Sequence, residues 1–161
     1  MILLKYVLVI LHVITGAAWF GLGLRLAGKA RMVTTSDVSV ARALADDTAR
    51  SVYLMNIFVV LTLIFSAGAF FVGGAAVGKN AFAFYGPTYH TSLLLMVILT
   101  VVQLFVIRTG WNTLQTAMDS GDSSEFVESG RKRVAMGTGI GHLTWLVILV
   151  LMFWPQLSAG L

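Results

Sequence analysis

The chain has no cysteine, only two prolines in 161 residues, and 11% charged residues. Without cysteine there are no disulfides, no thiolate metal ligands and no thiol chemistry. The scarcity of charge excludes an ordinary soluble domain, where about a quarter of residues are charged. The charges that do occur are segregated. No Asp, Glu, Lys or Arg falls within residues 6–24, 51–78, 80–107 or 134–161. No carboxylate therefore lies in any apolar stretch, which argues against a carboxylate proton relay of the pump or transporter kind. There is also no Gly-rich phosphate loop and no Ser/His/Asp set.

What is present is hydrophobic: 58% of the chain. Each charge-free stretch can hold the roughly 20 apolar residues that cross a bilayer core. The pattern predicts an all-α membrane protein, a four-helix bundle with spans at about residues 2–26, 52–73, 88–107 and 136–154. A single membrane domain covers residues 1–161. The first apolar run is too long for a signal-peptide core and lacks a small-x-small cleavage site, so it is expected to stay as a helix. Residues 37–51, opening on Ser36 and Asp37 as a cap, predict a cytoplasmic helical extension of the second span. The stretch from Thr116 to Gly130 reads as a surface loop or short helix. Pro87 suits the first position of the third helix, where its missing N–H costs nothing.

The net charge of +4 does not point to nucleic acid, because the basic residues cluster at span ends. Arg25, Lys29, Arg31, Arg42 and Arg50 lie in one loop, and Arg108, Arg131, Lys132 and Arg133 in another. By the positive-inside rule both loops are cytoplasmic and both termini are outside, as in a multi-pass protein of a bacterial inner membrane. Trp111 is expected at the inner lipid interface, and Tyr6, Tyr85, Tyr89 and Trp154 at the outer one. Arg131-Lys132-Arg133 is expected to meet anionic headgroups.

Three histidines lie in or beside these apolar runs: His12, His90 and His142. An ionisable side chain in lipid is costly and reads by default as functional. At about 1.5 Å per residue, His12 sits roughly 15 Å inside the outer end of the first span, and His142 roughly 12 Å inside the inner end of the fourth. Both then fall near the midplane on antiparallel helices. That placement suits two axial imidazoles on one haem b iron. Gly16 and Trp19 share the face of His12, and Trp145 that of His142, where they would line a flat macrocycle. The alternative is a hydrogen bond to a neighbouring helix through Thr15, Asn56, Ser66 or Gln103. His90 is too shallow to pair with His142; a second haem, a quinone headgroup or water are its candidate partners. Copper is a lesser option, since Met55, Met96, Met118, Met136 and Met152 form no obvious cluster with the histidines.

The first span reads Leu11-His12, six residues, then Trp19-Phe20-Gly21. This His-x6-Trp pattern resembles the opening of a group of small membrane proteins: the copper-resistance-D-like domain, related integral membrane proteins and the HemJ-type protoporphyrinogen oxidases. The closing Leu151-Met152-Phe153-Trp154-Pro155 is similar to the end of some members. The resemblance implies a four-helix haem-b-type protein with His12 as a ligand. HemJ-type enzymes also use a lysine deep in a later helix, and no lysine follows Lys5 in any span here. The expected function is electron transfer through haem b, quinone-linked and within a larger assembly of membrane subunits or copies of itself. The alternatives are a HemJ-like oxidase and a structural or pigment-binding accessory subunit.

Overall fold

The computed structural model describes residues 1–121 and 124–159. All its elements are helical: α1 (Ile2–Gly23), α2 (Leu26–Thr35), α3 (Val38–Ala76), α4 (Ala81–Phe84), α5 (Pro87–Val101), a π-helical segment (Val102–Ile107), α6 (Arg108–Ser120) and α7 (Ser124–Ser158). They form four rods, α1–α2, α3, α5–α6 and α7. Each rod is long and apolar enough to cross a membrane. The chain is a multi-pass, all-helical bundle among the described residues.

The rods are longer than the apolar stretches inside them. α3 has 39 residues, about 58 Å of helix at 1.5 Å per residue, against a hydrocarbon core of about 30 Å. The expected extension of the second span is present, as the first turns of α3. The other three rods also run on at this basic end. The first breaks at Leu24–Arg25 and continues as α2, the third passes through the π segment to Ser120, and the fourth begins at Ser124 rather than near 136. Thr116–Ser120 is helical and Gly121, at φ +64°, ends α6; the rest of the expected 116–130 loop is helix α7 from Ser124, with residues 122 and 123 outside the described residues. Charges mark where lipid ends, not where a helix ends. Lys, Arg and Glu are good helix formers on a wet surface.

Beyond the lipid zone the rods make a small water-facing core. Leu26, Ala30 and Val33 of α2, Ala45 of α3, Trp111 and Leu114 of α6 and Val134 of α7 are buried in it together. Trp111 is thus a core residue at 2% exposure, not an interfacial anchor. Lys29 pairs with Asp47 across α2 and α3, and Arg131 with Glu128 along α7.

Glycines set the closest approaches. A Cβ on Gly130 would come within 2.6 Å of the Leu114 nitrogen and 2.9 Å of the Gly110 oxygen, so α6 and α7 meet backbone to backbone. Gly137 receives Ile107 and Val106 of the π segment in the same way. α1 and α3 run antiparallel, with Lys5 beside Gly73, Leu8 over Gly68 and Met55 beside Gly23. At the Lys5 end, Asn80 caps α4 by accepting from the Phe82 N–H, and Pro87 opens α5 as expected.

Two stability outcomes follow. Gly130→Ala forces backbone apart and should cost about 1–3 kcal/mol in thermal unfolding in detergent. Gly139→Ala, with nothing within 4 Å of its Cβ position, should fall within about 0.5 kcal/mol of wild type. The hydrogen bond and charge of Lys29 hold the Asp47 carboxyl below its ordinary range, and Arg131 does the same for Glu128. Both depressed carboxyls stabilise above the ordinary carboxylate pKa of about 4 and lose that contribution as pH falls through the lowered values. The groups are solvent-exposed, so amide protection factors in α2 and the start of α7, with exchange normalised to its intrinsic pH-dependent rate, should be level from pH 8 to 5 and fall only modestly below about 4.

Candidate functional site

The polar side chains of the lipid-level core converge on one layer. Trp19 of α1 donates its indole N–H to Gln103 Oε1 at 2.9 Å, and the Gln103 amide donates to Asn56 Oδ1 of α3 at 2.9 Å. Trp19 is 1% exposed and Gln103 is fully buried. Gln103 belongs to the π segment, a local irregularity common at functional sites. His142 of α7 completes the layer. Its ring lies edge-on to Trp19, with centroids 5.8 Å apart, and beside Phe20 at 4.7 Å. Phe20 in turn stacks on Trp145 at 4.4 Å.

His142 Nε2 is buried and makes no hydrogen bond of good geometry, although the Phe20 backbone lies close enough to act on the ring. It points at the hollow left by Gly23: a Cβ there would lie 2.6 Å from Nε2 and 3.1 Å from the Met55 methyl. Met55 is fully buried. The imidazole nitrogen and the methyl end of the Met55 thioether thus both pack against Gly23. Among the described residues no three His, Cys, Asp or Glu side chains gather as a metal group.

His12 is elsewhere. Its Nδ1 lies 3.1 Å from the Thr62 carbonyl oxygen of α3, one turn from the Thr62–Thr15 hydroxyl bond of 2.9 Å. Gly23, which faces His142, is eleven residues further along α1, roughly 16 Å at the helical rise. The two rings are not at one level, and a haem gripped by both does not fit. The expectation of matched depth counted His12 from the outer end of its span and His142 from the inner end of its own, within one core of about 30 Å. Packing instead sets α7 lower against α1, bringing His142 opposite Gly23. The neighbours expected around a shared cofactor divide accordingly. Trp19 and Trp145 lie near His142, and Gly16 touches Thr62 and the Trp145 indole nitrogen, each 3.5 Å from its Cβ position.

His90 sits at the opposite end of the bundle, beside Phe70 and Phe82 with ring centroids 5.7 and 5.6 Å away. Its Nε2 is also buried and unpartnered, so that nitrogen does not face water. Phe70 also packs on Phe82 and Tyr85, so His90 lies beside an aromatic cluster.

Met55 was not separable from the other methionines by spacing, because its partnership with His142 depends on helix register. Gln103 and Asn56 carried a readable signal. They are the amide side chains of the second and third charge-free spans, and an amide in hydrocarbon seeks a partner across helices. Asn56→Leu leaves the Gln103 amide short of its acceptor and should cost about 1–3 kcal/mol in detergent unfolding. Thr62→Val should cost about 1 kcal/mol or less, since the Thr15 hydroxyl keeps its bond to the Leu11 carbonyl.

No protein-family model, curated protein or solved structure matches this chain, and the site's chemistry rests on these atoms.

Proposed function

We propose that the chain is a membrane protein that binds a soft metal ion inside the bundle, copper(I) being the best match, with His142 and Met55 as ligands. The observation that carries this reading is the buried His142 Nε2 packed against Gly23 beside the methyl end of the Met55 thioether. A buried nitrogen without a partner costs about 1–3 kcal/mol. A metal bond there would offset that cost. Zinc, magnesium and calcium sites are built from more ligands, or from oxygen. Thioether ligands select copper(I) among common metals. The imidazole and the Met55 methyl already crowd the Gly23 Cβ position, which leaves no room for a macrocycle; a bare ion would enter as those side chains shift. Trp19 and Phe20 shield the site from water and lipid. The clustering of basic residues at the near end supports a cytoplasmic placement of that end and a bacterial-type inner membrane.

A second reading keeps haem b and electron transfer, with His12 alone as the ligand. It is favoured by the contact of His12 Nδ1 with a backbone carbonyl. Such a bond places the proton on Nδ1 and leaves the Nε2 lone pair for a metal.

The test is metal content and spectrum of protein purified in detergent and loaded with copper(I) under reductant. One copper per chain is expected. Met55→Leu, a volume-conserving change, and His142→Ala should both lose it, as should Gly23→Ala, whose methyl fills the hollow. His12→Ala should retain it. Absence of copper in the wild type, with dithionite-dependent alpha and Soret bands that vanish in His12→Ala, would decide for haem.

A further inference from the structure

A glutamine that is fully buried at lipid level is expensive unless its amide is met on both sides. Gln103 is met on both: its oxygen accepts from Trp19 and its nitrogen donates to Asn56. It reaches these partners from the π segment, Val102–Ile107. Bonding from i to i+5 widens that turn, and residues four apart, Gln103 and Ile107, both enter the core at 0% exposure. Ile107 docks in the notch at Gly137, where a Cβ would lie 2.7 Å from it. The lower contact anchors the π segment on α7, five residues before His142. The upper contact anchors it on Trp19, whose ring lies against both Gly141 and His142; Cη2 is 3.2 Å from the Gly141 Cβ position. Asn56, the next residue after Met55, ties the same amide to the helix that carries the thioether.

Gln103 thus contacts neither ring nitrogen nor sulfur, yet it is bonded to the side chain that leans on His142 and to the neighbour of Met55. We propose that Gln103 is the positioning residue of the His142–Met55 pair, fixing through Trp19 and Asn56 the relative placement of imidazole and thioether across α7 and α3. This inference rests on the soft-metal reading for its purpose, but not for its geometry. With Gln103 removed, the Trp19 indole N–H loses its acceptor and the ring is free to tilt. His142 then loses the wall that holds its Nε2 toward Gly23.

The experiment uses full-length protein in detergent, labelled with 15N-histidine, as wild type and Gln103→Leu. In the metal-free state the imidazole 15N signals of His142 should shift or broaden in Gln103→Leu, while those of His12 and His90 stay in place. Copper(I) affinity, measured by competition with a chelator, should fall at least about tenfold. The double variant Gln103→Leu with Trp19→Phe removes the orphan indole donor; it should recover thermal stability without recovering affinity. Recovery of both would overturn the proposal, because Gln103 would then serve stability alone. So would His142 signals unmoved by Gln103→Leu. A wild type that takes up no copper, with His142 signals still displaced by the variant, would remove the metal reading and leave the positioning role standing. If Gln103→Leu does not fold, Trp19→Phe alone gives the same histidine comparison.

Discussion

In hydrocarbon a polar group has no water to fall back on, so each one must be met inside the bundle. That constraint organises the lipid-level core. Threonine and serine hydroxyls return to carbonyls of their own helices, as Thr100 does to Met96 and Thr138 to Val134. Groups too long or too rich in donors for that solution are joined across helices: Trp19 to Gln103 to Asn56, Thr62 to Thr15, His12 to the Thr62 backbone. Once these are paired, three buried side-chain polar atoms are left over among the described residues: the Nε2 atoms of His90 and His142 and the indole nitrogen of Trp111. Their significance comes from how thoroughly the rest is satisfied.

The same pairings fix helix register. Apolar faces alone would let two rods slide past each other, because lipid tails are as apolar as leucine. Trp19 reaching Gln103, and glycine notches receiving specific neighbours at Gly23, Gly130 and Gly137, leave one alignment. That alignment sets His142 opposite Gly23 and leaves His12 against α3, with the site toward the basic end of the bundle and not at mid-depth.

The four spans were readable in the sequence because charge and hydropathy are local properties; so were Pro87 at the start of α5 and the helical extension before Arg50. Helix ends were not readable from charge, since Arg131, Lys132 and Arg133 ride on an unbroken α7. The histidines were correctly singled out as unusual, yet their pairing was a statement about register between distant helices. Counting residues inward from the ends of each span cannot supply that. Nor could it show that Met55, one of seven methionines, is the one that packs against Gly23 beside a histidine. Trp111 shows the same limit from the other side. A tryptophan just past a span fits an interfacial anchor by position, and only the water-facing extension of α2 and α7 over it makes it core.

The two orphan histidine nitrogens invite different accounts. His90 lies among Phe70 and Phe82, whose ring edges and faces offer weak electrostatic contacts and no lone pair to match. Its burial there is explained by aromatic packing at an interface where amphipathic rings gather. His142 has aromatic walls too, but its free nitrogen is turned from them toward a glycine and a thioether. Gly23 ends α1, where glycine costs little, but an orphan acceptor costs about 1–3 kcal/mol. Alanine at position 23 would put a methyl where the imidazole nitrogen and the Met55 methyl now converge. A bundle selected only for stability would gain by closing that hollow around a smaller side chain at position 142. The close packing of an imidazole nitrogen and a thioether methyl against one glycine is the feature on which the copper(I) proposal rests.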